Sequence, residues 1–174
     1  DPDISRRFTE QLGRHVPLAL GHQLTGITLD GDDVVVGTLD EAGEQHEVRC
    51  DLVLNATGRM PNGDTLNAAA AGVEVDEHGF VVVDEHQRTS VDHIWALGDV
   101  CSPWMLKHVA NHEMRVVQHN LLQVIEGKHD LVSANHRFVP SAVFSEPQVA
   151  QVGLTELEVV ALGRPYLRQV QEYA

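Results

Sequence analysis

The chain has 174 residues, 43% apolar and 22% charged, enough to bury a core, which excludes a short peptide and the low-hydrophobicity signature of disorder. Twelve Lys plus Arg against 26 Asp plus Glu give a formal charge of −14, and no locally basic stretch offers a polyanion such as nucleic acid a landing face. No run approaches the ~18 apolar residues of a membrane-crossing helix, and Cys50 and Cys101 stand in no CxxC, which excludes a disulfide scaffold and a cysteine zinc site. The opening DPDISRRF carries neither an apolar signal region nor a starting Met. The expectation is a soluble, cytoplasmic protein cut from something longer.

In residues 3–15, Ile4, Phe8 and Leu12 fall four apart behind an Asp that can cap, and this spacing predicts a helix ending near Gly13. Beyond Pro17, strands are predicted over 25–30, 33–39 and 45–50, with Asp30-Gly31 and Ala42-Gly43 as turns, a small antiparallel meander. The run 51–56 is short and apolar on both faces, as in a buried strand with a layer on either side, and empties into Thr57-Gly58-Arg59-Met60-Pro61-Asn62. Alanines over 64–71 predict a short helix stopped by Gly72, and 81–84 and 94–97 read as two more strands. After Gly98-Asp99-Val100 the longest helix is expected from Leu106 to about Glu126, ended by Gly127. Residues 130–137 read as a linker, 138–143 and 148–152 as strands, and 155–162 as a helix stopped by Gly163. The order gives pieces of α/β structure and fits three partial domains better than one whole one.

Chemistry concentrates where the strand over 94–97 ends in Gly98-Asp99 and a helix begins a short loop later. In open α/β sheets ligands sit outside the carboxyl ends of strands, and a helix start offers N–H donors and partial positive charge. Gly98 would let a ligand approach the backbone, and the Asp99 carboxylate could accept a bond from a sugar-type hydroxyl; equally, Gly-Asp makes a turn and Asp99 caps a neighbouring N–H. His108 and His112, four apart on one helical face with His119 further on, could bind zinc, yet Glu113 follows the second His instead of the first and no third ligand is evident, so no metal site is assigned. The acidic groups at 30–33, 40–44 and 74–77 read as solvated turns without calcium-loop spacing. Cys50 and Cys101, fifty-one residues apart, read as buried or incidental thiols.

The ordered set Ala56-Thr57-Gly58-Arg59-Met60-Pro61-Asn62, Thr89-Ser90 and Ile94-Trp95-Ala96-Leu97-Gly98-Asp99-Val100 resembles the flavin-dependent pyridine nucleotide-disulfide oxidoreductases. Pro140-Ser-Ala-Val-Phe-Ser-Glu-Pro-Gln-Val-Ala-Gln-Val-Gly-Leu-Thr is similar to the opening of that family's dimerisation domain. The run from Leu106 through His112-Glu113 to Leu122 most resembles the mycothione reductase branch, with dihydrolipoyl dehydrogenases as the nearest rival. The resemblance implies partial doubly wound, Rossmann-like FAD- and NAD(P)-binding domains with an antiparallel meander, then the start of an α+β dimerisation domain. Residues 1–57 would end the NAD(P)H-binding domain, 58–136 return to the FAD-binding domain and 137–174 begin the dimerisation domain of a homodimeric parent.

By the same resemblance Asp99, after Gly98, would hold a ribityl hydroxyl of FAD. Met105, Leu106, Lys107 and His108 would form the helix start beneath the flavin ring, and Gly58 would lie near the nicotinamide nucleotide, although a Gly-Arg-x-Pro turn needs no ligand. The parent would pass electrons from NADPH through FAD to a small disulfide, mycothione. The family's glycine-rich phosphate loops, redox Cys pair and C-terminal His–Glu pair have no counterpart here, so no catalytic residue is assigned and the chain alone is expected to be inactive. The rivals are an NAD-dependent dihydrolipoyl dehydrogenase and a non-catalytic remnant serving as an interaction or metal-binding module. Apolar edges at 52–55 and 94–97 without neighbours would make the isolated chain associate.

Overall fold

A computed structural model of the chain describes residues 1–172. It divides into two units, Asp1–Gly58 with Ala142–Val149, and Arg59–Ser141 with the stretch from Ala150 onward.

In the first unit, α1 (Pro2–Leu12) starts on a proline, whose missing N–H suits the first helical position, and stops at Gly13 as expected. The N-cap is Asp1; Asp3 lies inside the first turn and pairs with Arg6. No α1 residue is buried. The meander forms as read: β1 (Gln23–Asp30), β2 (Asp33–Leu39) and β3 (Gln45–Cys50) pair antiparallel in that order, with Val36 between Ile27 and Val48. β1 starts two residues earlier than expected, with an irregularity between Leu24 and Gly26. Gly31 takes the left-handed conformation that the tight β1–β2 turn requires. The acidic turn at 30–33 is partly neutralised, since Arg49 bonds Asp30 at 2.8 Å and approaches Asp33 at 3.6 Å.

Residues 51–56 do not form the expected strand, and Leu52 and Leu54 are 85% and 88% exposed. A strand exists through hydrogen bonds to neighbours, and a run apolar on both faces suits only a sheet interior. Among the described residues no strand runs beside this one. The same physics applies to 81–84 and 94–97 in the second unit, which form no strand ladder: Val75 with Val81 and Arg88 with Trp95 are isolated bridges, beside single backbone bonds such as Val81 N–H to the Val100 carbonyl and Ala96 N–H to the Gln87 carbonyl. An apolar hollow of about 400 Å³ in this unit is lined by Val73, Val81, Trp95 and Leu97 among others. The expected helix over 64–71 is two 3₁₀ turns, Gly63–Leu66 and Ala68–Ala71, because Asn67 between them is left-handed (φ 50°); Gly72 ends the second, as its φ of 75° allows.

α2 (Lys107–Ile125) matches the predicted helix, and Gly127 (φ 68°) follows it. Its buried stripe is Val109, Glu113, Val116, Val117 and Asn120, apolar positions interrupted by two polar ones. Among the described residues the buried apolar side chains are Pro61 and six valines, Val35, Val73, Val81, Val109, Val116 and Val117, a smaller core than the length suggests.

Residues 130–137 are a strap tied to α2, where a free linker was expected. Asn120, fully buried, donates to the carbonyls of His86 (3.2 Å) and Val132 (2.9 Å) and accepts from the Val132 N–H (2.9 Å). The Ala134 N–H donates to the Glu85 carbonyl. β4 (Ser141–Val143) and β5 (Val149–Gln151), shorter than the runs predicted, pair in a two-stranded sheet. α3 (Glu156–Ala161) opens on a capping box in which Thr155 and Glu158 satisfy each other's backbone N–H.

Candidate functional site

Leu97 arrives extended and Gly98 turns the chain with φ 73°, opening the 3₁₀ turn Gly98–Val100. A Cβ on Gly98 would lie 3.2 Å from the Ala110 Cβ of α2, so the glycine is set by close helix packing as well as by its backbone angle. Its N–H donates to Glu113 Oε2 at 2.6 Å, and its carbonyl accepts from the N–H groups of Cys101 (3.0 Å) and Ser102 (2.9 Å). On the side where a Cβ would point, Gly98 packs against Ala110.

Asp99 presents its carboxylate from that turn, and the Arg59 guanidinium donates to Asp99 Oδ2 and to the Met105 carbonyl, the latter at 2.7 Å. Arg59 therefore joins the two ends of the loop between Asp99 and α2. Both side chains keep about half their surface in solvent, leaving acceptor capacity on Asp99 for a further donor. Met105 has φ 43°, a costly conformation for a side chain of its size and of the kind that gathers at binding sites. Leu106 is the N-cap and cannot cap with its side chain, so the first-turn N–H groups of α2, which includes Lys107 and His108, face the loop with the positive end of the helix dipole. A carboxylate acceptor beside uncapped helix donors suits a molecule with hydroxyl groups and an electron-rich carbonyl edge. Gly58, in the first unit, has φ 138° and open space where a Cβ would be.

The Cys101 thiol is not poised for redox chemistry. Burial first, and then the charge of Glu113, push the Cys101 thiol up to about 12, and its Sγ lies 3.6 Å from Gln87 Oε1 and from the Gly98 carbonyl. Cys50 Sγ lies 3.7 Å from the Val34 carbonyl. The helix histidines serve the strap: His112 Nε2 accepts the Asn135 N–H at 3.0 Å and His119 Nε2 lies 2.9 Å from the Asp130 carbonyl. Asp40, Glu44 and His46 bring possible ligand atoms within 4.8 Å of one another. Asp40 is already engaged by the N–H groups of Ala42 and Glu44 and by His46, and the His46 bond first among these holds its carboxyl below the usual range. Sequence reasoning missed Arg59, whose partners lie 40 and 46 residues away, and Glu113, His136 and Asn120. The signal for Glu113 and Asn120 was available, since both interrupt the apolar stripe of α2.

Residues 1–119 match the family described as pyridine nucleotide-disulphide oxidoreductase. The chain is 54% identical to a mycothione reductase of Mycobacterium tuberculosis over 180 aligned residues, covering 99% of this chain and 37% of that protein. Identity to a dihydrolipoyl dehydrogenase of Vibrio cholerae is 37%, over 95% of this chain and 34% of the relative. Among solved structures, the Cu(II) complex of the HOCl-induced flavoprotein disulfide reductase RclA from Escherichia coli superposes with a TM-score of 0.79 at 29% identity, covering 94% of this chain and 35% of that one. The chain thus spans little more than a third of the relatives it matches, and among the described residues no helix is long and apolar enough to cross a membrane. With a family match over two thirds of its length, a 54% identical relative and a superposition over nearly all of it, the chain belongs to the pyridine nucleotide-disulphide oxidoreductases.

Proposed function

We propose that this chain supplies the ribityl-binding carboxylate and the flavin-facing helix start of an NADPH-dependent flavoenzyme that reduces a low-molecular-weight thiol disulfide, mycothione. The observation that carries the reading is the Asp99 turn, clasped by Arg59, directly before the uncapped start of α2. Asp99 would accept a ribityl hydroxyl of FAD, and the first-turn N–H groups of α2, at Lys107 and His108, would stabilise negative charge on the bound flavin. FAD, when bound, supplies the two-electron carrier between nicotinamide and disulfide. Gly98 and Met105 shape the loop that presents these groups, and Gly58, with no Cβ, leaves room for a nicotinamide nucleotide. The Cys101 thiol keeps its proton at neutral pH and serves as packing, so the exchanging thiolate pair comes from elsewhere in the enzyme.

In this reading residues 1–57 close the nicotinamide-nucleotide domain, 58–136 belong to the FAD domain, and 137–174 open the dimerisation domain of a cytoplasmic homodimer. The higher identity to a mycothione reductase than to a dihydrolipoyl dehydrogenase supports the thiol-disulfide substrate.

The test is to express this chain with the parts of the Mycobacterium tuberculosis mycothione reductase that it does not match, and to record the flavin spectrum of the purified complex. We expect bound flavin, and at least a tenfold loss of affinity in Asp99→Ala, as for removing one charge-assisted hydrogen bond of about 1.5–3 kcal/mol. A folded complex without flavin, or an Asp99→Ala complex that keeps it unchanged, would sink the reading.

A further inference from the structure

Glu113 is fully buried, and burying a carboxylate costs several kcal/mol unless partners replace its water. A helix that only had to pack on its unit would carry an apolar residue there, as it does at Val109, Val116 and Val117. Both oxygens of Glu113 are engaged, and by segments far apart in the chain. Oε2 receives the Gly98 N–H at 2.6 Å, and Oε1 lies 2.8 Å from His136 Nε2. His136 in turn sits on the strap that Asn120, His112 and His119 fasten to the same helix. The bond at Gly98 fixes the Leu97–Gly98 peptide, which leads into the turn that carries Asp99.

We infer that Glu113, oriented by His136, is a positioning residue for the cofactor site: by holding the Gly98 N–H it aims the Asp99 carboxylate at the hydroxyl it binds. The inference rests on the proposed FAD role of Asp99. Arg59 grips the Asp99 carboxylate from the solvent side and Glu113 holds the Gly98 N–H from the buried side, so the two adjacent residues of the turn are each fastened. The strap is thereby part of the site, because His136 fixes which way the Glu113 carboxylate faces. Ala110 against Gly98 supplies the steric half of the same arrangement.

Glu113→Gln keeps the size of the side chain and removes its charge, while His136→Gln, at a partly exposed position, leaves the buried carboxylate in place and keeps the test open if the first variant folds poorly. Hydrogen exchange on the complex described above reads the turn directly. We expect the Gly98 amide to exchange roughly tenfold faster in either variant, with the amides of β1 to β3 unchanged. In the complex used above, FAD affinity should fall roughly tenfold in both variants, with the far-ultraviolet circular dichroism of the helices preserved. Gly98 exchange unchanged in both variants overturns the inference, as does faster exchange with FAD affinity kept within twofold while Asp99→Ala loses it. If Asp99→Ala itself keeps flavin, the FAD reading fails first, and the exchange data then report a structural bond only.

Discussion

Cys101 is separated from Asp99 by one residue, close enough to the proposed cofactor position to be mistaken for a redox thiol. Its surroundings argue otherwise, since apolar burial and the neighbouring Glu113 charge both disfavour the thiolate and lift its pKa to about 12 from an ordinary 9.0. At pH 8 this lowers the thiolate fraction about a thousandfold, and iodoacetamide should alkylate Cys101 about a thousandfold more slowly than a free thiol of ordinary pKa. Peptide mass spectrometry over a time course measures this directly, and a rate within tenfold of the free thiol would contradict the burial argument. The sign for stability follows from linkage. Between about pH 9 and 12 the unfolded chain gives up a proton that the folded chain keeps, so this residue makes the fold less stable as pH rises through that window and has no effect below it. In the sequence Cys101 was readable as outside any redox motif; its partner Glu113 was not, because the twelve-residue separation acquires meaning only once the turn at Gly98 folds back onto α2.

The strap over 130–137 has no regular secondary structure, yet it is among the better fastened segments of its unit, and the residue that fastens it most is Asn120. Replacing Asn120 by Ala removes three hydrogen bonds and leaves the Val132 N–H and two carbonyls to find water or go unpaired. We expect a loss of about 2 kcal/mol, the cost of stranding one or two partly buried polar groups, together with new protease cleavage inside 130–136. Urea unfolding and limited proteolysis check the two halves of that statement; an unchanged cleavage pattern would mean that the histidine contacts suffice to hold the strap. Elements held by local patterns were legible in the sequence: the meander, the span of α2, the glycine stops after α1 and α2. Elements that depend on distant partners were not. The runs 51–56, 81–84 and 94–97 have strand composition, but ladders need neighbours that the described residues do not provide. The strap read as a linker for the converse reason, since its polar sequence carries no periodicity and its order comes from side chains of α2.

At the scale of the whole chain the decisive quantity is surface. Much of the exposed surface is apolar: Leu52, Leu54, Leu29 and Phe144 are each more than three quarters exposed. Six valines and Pro61 are a small buried core for 172 described residues. The isolated chain should therefore self-associate and bind a hydrophobic dye such as ANS, the apolar surface being covered by whatever is available. Adding the unmatched parts of a mycothione reductase should abolish both effects, because those parts would lay strands beside 51–56 and 94–97 and a layer over the hollow between Val73 and Trp95. Sedimentation velocity against concentration, with ANS fluorescence on the same samples, measures this. A monodisperse monomer with weak ANS signal would mean that the chain closes its own apolar faces in solution, and the exposed runs would then need a different account.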